Sequence, residues 1–217
     1  MNKLLLFDFD GVVVDSLDVY EGTVRRCLEK IGRPILKTRA DFLALYEDNF
    51  YASLAKRGVD LATFMAASVD ILAQVDYGEM KPYAGLLPVL AELAGEDILV
   101  IVSSSDSDDI RLILRLFNLT DYFRDVLGSD VNFSKKEKIL QALDKYGTAK
   151  EDVWYIGDTT GDIREAKAVG IKTIAVAWGW HSREELAAVG PDYLIDRPEE
   201  LLVLSRQGLS AKEFNQL

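Results

Sequence analysis

Short leucine-rich or β-branched runs recur along this chain, each ending in small or acidic residues and each followed by a segment of helical periodicity. Parallel strands need long crossovers, so this alternation builds a parallel sheet with helices on both faces. The runs predict strands at Lys3–Phe9, Ile98–Ser103, Asp125–Gly128, Val153–Gly157, Lys172–Val176 and Tyr193–Ile195. Helices fall between them: Leu86–Ala94 closed by Gly95, Ser107–Phe117 capped by Asp106, Lys135–Tyr146 closed by Gly147, Asp162–Val169 closed by Gly170, and Ser182–Ala188.

One segment breaks the rhythm. Residues 16–81 carry helix patterns without a convincing strand. Val19, Tyr20, Val24, Cys27, Leu28 and Ile31 form one apolar stripe, ended by Gly32 and Pro34. Thr38-Arg39-Ala40-Asp41 reads as a capping box opening a second helix with Phe42, Leu45, Tyr46, Phe50 and Leu54 inward, and Asp60 caps a third. The expectation is a Rossmann-like three-layer α/β core, residues 1–15 and 82–217, interrupted by an α-helical cap at 16–81.

The 217 residues are 49% apolar and carry 25 Lys+Arg against 36 Asp+Glu, a net charge of −11. A core of ordinary size is affordable, and the long-range field repels nucleic acid and anionic membrane surfaces. A phosphorylated partner must therefore be drawn in by a local positive feature. The single Cys27 has no intrachain partner and reads as core. The opening apolar run is short and broken by aspartates, and no later stretch approaches the roughly 18 apolar residues that span a bilayer. A cytoplasmic protein is expected.

The chemistry concentrates at strand ends. In LLLFDFDGVVVDS, Asp8 and Asp10 alternate with Phe7 and Phe9, so both carboxylates share one face. They lie where open α/β sheets place ligands, and Gly11 allows the backbone a sharp turn and a close approach. In VWYIGDTTGDIREA, Asp158 ends a second strand and Asp162 follows about one helical turn later. Each acid alone also fits a turn or a helix cap. Several carboxylates in one crevice repel one another unless a cation neutralises them, and an oxygen-only set favours Mg²⁺ over zinc. His181, the single histidine, reads as a loop or surface residue. Ser103-Ser104-Ser105 ends a third strand with hydroxyls and loop amides suited to a phosphate, although serines there also cap helices. Lys135-Lys136 opens a helix where cations oppose the dipole unless an anion is near.

With DFDGVVVDS at Asp8–Ser16, ILVIVSS at Ile98–Ser104, a lysine at 135 or 136 and GDTTGD at Gly157–Asp162, the sequence resembles the haloacid dehalogenase-like (HAD) superfamily. The resemblance is to its phosphoglycolate phosphatase-like branch, with a helical cap after the first strand, and KPYAGLLPVLAEL and GPDYLIDRPEELL support it. It implies phosphoryl transfer in two steps. Asp8 would be the nucleophile and Asp10 the general acid and base. Mg²⁺ would be held by Asp8, the Asp10 backbone carbonyl and Asp158, with Asp162 adjacent or water-mediated. Gly11, Ser103, Ser104 and Lys135 would bind the phosphate, Lys135 being favoured because Ile139 follows four residues on, with Lys136 as the fallback. Dehalogenases of the superfamily lack the second aspartate and its ion-pumping ATPases carry threonine there, so Asp10 points to a phosphatase or a phosphomutase. A non-catalytic regulatory protein is the remaining alternative. The expected partner is a small phosphorylated metabolite, with no nucleic acid and no membrane, and the expected state a monomer or homodimer. Arg39, Lys37, Arg57 and Tyr20 are cap candidates for substrate contact, and Trp178 and Trp180 for the entrance.

Overall fold

Each of the expected strands pairs in one sheet. The computed structural model describes residues 2–207, so Met1 and residues 208–217 of the expected core lie outside the described residues. The strands are β1 (Leu4–Phe7), β2 (Val14–Asp15), β3 (Lys81–Pro82), β4 (Ile98–Val102), β5 (Asp125–Leu127), β6 (Val153–Gly157), β7 (Lys172–Val176) and β8 (Tyr193–Ile195). The helices are α1 (Leu17–Lys30), α2 (Arg39–Leu43), α3 (Phe50–Lys56), α4 (Leu61–Leu72), α5 (Leu86–Glu96), α6 (Ser107–Leu116), α7 (Lys135–Tyr146), α8 (Thr160–Val169), α9 (Arg183–Ala188) and α10 (Glu200–Gln207).

The main sheet has six strands in the order β5-β4-β1-β6-β7-β8, and every pair in it is parallel. Both faces are covered, which is why these strands read as unbroken apolar runs: all five residues of β6 are buried. Leu5 and Phe7 face one layer with Leu90, Leu93 and Ile110, while Leu4 and Leu6 face the other with Ile139, Ala142 and Ala166. From β1 the chain lays β4 and β5 to one side and β6, β7 and β8 to the other. That switch point opens a crevice at the carboxyl end of β1.

Helix ends follow their caps. Asp106 accepts from Asp108 N–H at 2.9 Å to start α6, and Gly147 at φ +60° closes α7 in the left-handed region. Gly95 does not end α5: the helix runs on to Glu96. Thr159 caps α8 in a reciprocal box with Asp162, so that helix begins two residues earlier than its apolar periodicity predicts. The carboxyl-terminal α10 has no counterpart in the sequence reading. It buries Leu201 and Leu204 and is tied down by Ser205 Oγ donating to Asp97 Oδ2 at 2.6 Å.

The chain leaves and re-enters the core along β2 and β3, which pair antiparallel with Val14 opposite Pro82. Helices α1 to α4 lie between them. The second expected helix is two: α2 ends at Leu43 and α3 starts at Phe50 behind an Asn49 cap. The intervening carbonyls turn toward α8 instead. Gly161 N–H donates to Tyr46 O at 3.0 Å, and Thr160 Oγ1 to Glu47 O at 3.1 Å. A Cβ at Gly161 would stand 2.4 Å from Asp48 O, so glycine is what permits this close docking. The break exchanges intrahelical bonds for bonds that seat the insertion over the crevice.

Candidate active site

Past the end of β1 the ladder continues for one more bond, Asp8 N–H donating to Ile156 O at 2.8 Å, and the chain then turns. The strand stops at Phe7, short of the expected Phe9. Phe7 and Phe9 are nonetheless both in the core, while Asp8 and Asp10 line one cleft. Gly11 makes the turn at φ +76°. Its N–H donates to Val14 O at 2.9 Å inside the turn. A Cβ there would lie 2.0 Å from Asp158 Oδ2, and glycine gives that carboxylate its room.

Lys135, in the first turn of α7, reaches Asp8 Oδ2 at 2.7 Å and also donates to Asp162 Oδ1. Lys136 is exposed and takes no part. Asp162 Oδ2 accepts from Thr159 N–H at 3.1 Å and Oγ1 at 2.7 Å. Asp158, fully buried, accepts from Trp180 N–H at 2.7 Å on Oδ2, while its Oδ1 has no partner among the described residues. Asp8, Asp158 and Asp162 bring carboxylate oxygens within 4.8 Å of one another.

This crowding sets the protonation equilibria. Burial pushes Asp8 up to about 7, Lys135 pulling against it and Asp162 adding repulsion. Burial, then repulsion from Asp162 and Asp8, drives Asp158 well above the carboxylate range. Burial works the same way on Asp162, but the Lys135 ammonium and the Thr159 donors win and hold it low. Burial opposes the Lys135 charge, yet Asp162 and Asp8 overcome it and keep the ammonium protonated. One lysine therefore cannot neutralise three acids, and a hard divalent cation fits the remaining charge and the orphaned Asp158 oxygen.

Asp10 stands outside that trio. Ser16 Oγ donates to its Oδ1 at 2.7 Å and Ser105 Oγ to its Oδ2 at 2.6 Å, so any share it has in a cation runs through its main chain. Burial raises its pKa, the two serine hydroxyls pulling the other way. Ser103 and Ser104 line the cleft beside it. Ser103 Oγ accepts from Ser105 N–H at 3.1 Å, and Ser104 O takes the Tyr51 hydroxyl at 2.8 Å.

Several residues here go unread in the sequence. Lys138 is fully buried below the serine loop and donates to Ser103 O and, at 3.4 Å, to Gly128 O. Burial, with Lys135 adding repulsion, lowers it to about 7. The unfolded chain therefore binds more protons than the native one between about pH 7 and 10.5, and stability gains with rising pH across that window. Lys138→Met should flatten this gain in melting curves recorded from pH 7 to 10; an unchanged slope would contradict a lysine buried in its neutral form. His181 is no surface residue: it is 3% exposed. Its Nδ1 accepts from Thr160 N–H at 3.1 Å, which leaves Nε2 to donate to Leu43 O at 3.2 Å. Trp180 packs on Tyr46 with ring centroids 4.9 Å apart, and Trp178 Nε1 donates to Val12 O at 3.2 Å.

The description "Haloacid dehalogenase-like hydrolase" matches residues 5–176. The chain belongs to that family. It is 29% identical over 205 residues to a phosphoglycolate phosphatase of Synechococcus elongatus, covering 92% of this chain and 95% of the relative. Pyrophosphatase PpaX of Listeria monocytogenes is 28% identical over 207 residues, with 93% and 95% covered. Among solved structures, one described as a predicted phosphatase from Clostridium acetobutylicum superposes over the full length of both chains with a TM-score of 0.81 at 23% identity, which shows the shared fold. The HAD-family chain is thus a hydrolase, phosphoglycolate phosphatase-like at modest identity. Among the described residues no helix is long and apolar enough to cross a membrane.

Proposed function

We propose that this protein is a cytoplasmic, Mg²⁺-dependent phosphatase that hydrolyses a small soluble phosphomonoester through an aspartyl-phosphate on Asp8. The observation that carries this is the buried trio Asp8, Asp158 and Asp162, bridged on one side by Lys135 and left with an unpartnered oxygen on Asp158. Asp8 and Asp158, with Asp162 directly or through water and the Asp10 backbone carbonyl, would hold the cation. Mg²⁺ when bound neutralises phosphate charge as a Lewis acid.

The chain's own residues supply the rest. Asp8 Oδ attacks phosphorus, the P–O bond to the leaving alcohol breaks, and Lys135 holds charge on the phosphoryl oxygens. Asp10, pinned by Ser16 and Ser105 and raised by burial, gives its proton to the leaving oxygen. It then takes a proton from the water that cleaves the acyl phosphate and returns Asp8. The serine loop at Ser103 and Ser104 lies where the remaining phosphate oxygens would be held. The insertion at 16–81 acts as the cap that excludes bulk water.

The test is phosphate release from a generic phosphomonoester, expected with Mg²⁺ and abolished by EDTA; release that ignores EDTA would end the metal assignment. Products are followed for isomerised ester as well, which would instead mark a mutase. Asp10→Asn should slow alkyl phosphates about 10²–10⁴-fold and activated aryl esters much less, because a good leaving group needs no proton. Equal losses on both would contradict the acid role.

A further inference from the structure

The cleft runs from the acids into the helical insertion, where Val24, Cys27, Phe64, Met65 and Leu72 line it. Among the described residues lining the cleft, Lys135 is the one cation, and it is already bound to Asp8 and Asp162. The arginines and the lysine that the sequence offers as cap contacts lie elsewhere. Arg39 pairs with Asp18 and, at 2.6 Å, with Glu21. Arg57 donates to Ser53 O and Ala44 O, and Lys37 is exposed. Asp106 and Asp109 line the cleft instead. The unpartnered polar atoms there are neutral: the Tyr20 hydroxyl and the Trp180 indole N–H are buried without a partner among the described residues.

A leaving group bearing a second anion would thus enter a low-dielectric cleft with no cation to receive it and two carboxylates to repel it. Phosphoglycolate carries a carboxylate and pyrophosphate a second phosphate, so neither suits these walls. We infer that the leaving group of the true substrate is apolar and uncharged, an alcohol whose hydrocarbon body fills the space between α1 and α4. This rests on the phosphatase reading above and names the substrate class within it. Apolar walls bind such a body by removing it from water, and Tyr20 and Trp180 meet a neutral oxygen near the phosphate end. Apolar walls separate bodies that differ by one methylene only about 10–200-fold, so several apolar esters should be accepted.

Benzyl phosphate and hexyl phosphate test this against 2-phosphoglycolate and pyrophosphate, with Mg²⁺ present. Benzyl, hexyl and glycolate phosphates all release an unactivated alkyl alcohol, so the comparison reads binding more than leaving-group acidity. The expected result is a kcat/KM for benzyl or hexyl phosphate at least tenfold above that for phosphoglycolate and for pyrophosphate. Met65→Lys, at a half-buried wall position, should lower the benzyl value and raise the phosphoglycolate value, with the melting temperature checking that the variant folds. Phosphoglycolate or pyrophosphate turned over as well as the apolar esters would overturn the inference and leave the phosphatase standing. Phosphocholine turned over best would overturn it in favour of a cationic leaving group held by the aromatic walls and Asp109. Hydrolysis of none of them, with no phosphoryl group on Asp8, would end both readings.

Discussion

Asp8→Asn should fold and lose at least about 10³-fold in kcat with Mg²⁺ present, because an amide oxygen is a poor nucleophile toward phosphorus. The fold should survive for a definite reason. Asp8 costs free energy where it stands: burial pushes its carboxyl up to about 7 despite Lys135. Its pKa is thereby raised above the unfolded value, so its contribution is lost as pH rises toward 7, and the neutral amide escapes that loss. The variant's melting temperature at pH 8 without metal should equal or exceed that of the native protein. Retained turnover in a folded Asp8→Asn protein would remove Asp8 from the reaction.

Lys135→Met should damage stability and rate together. Lys135 is 6% exposed, and its ammonium is held between Asp8 and Asp162. Deleting one partner of a buried ionic group leaves uncompensated charge at a cost of up to about 3–5 kcal/mol. Proton uptake by Asp8 relieves part of this, so a loss of about 2–3 kcal/mol in denaturant unfolding at pH 7 is the expected figure. Activity should fall at least about 10²-fold because phosphoryl charge loses its counterion. Lys136→Met, at an exposed position, should change neither. Equal effects of the two substitutions would mean that the lysine bridge seen between Asp8 and Asp162 does not operate.

How much of this was legible in the letters varies with the physics of each part. The sheet was readable because parallel strands buried on both faces must be apolar throughout, as Val153–Gly157 is. The acids were readable because they end strands, a placement that no packing demand explains. Lys138 was not. It reads as an ordinary helical surface lysine, and the signal that was there is its three-residue spacing from Lys135, which puts both on the face that buries Ile139 and Ala142. His181 binds a carbonyl of α2 some 138 residues away in sequence, and no local pattern encodes such a bond. The split between α2 and α3 was hidden because Phe42 to Leu54 keeps a helical apolar rhythm, while the gain from breaking it, bonds from Gly161 and Thr160, comes from another part of the chain. Strands of two residues such as β2 and β3 are too short for alternation to show.

On the proposed reading, three buried carboxylates and one lysine prepare Asp8 to carry a phosphoryl group. The direct test is to mix the protein with a turned-over phosphomonoester and Mg²⁺, quench in acid within the first turnovers, and map the added phosphoryl group by mass spectrometry of peptides. It should sit on Asp8, be absent when EDTA replaces Mg²⁺, and fail to form in Asp158→Asn. Phosphate released with the label found on Ser103, or on no residue at all, would contradict the account.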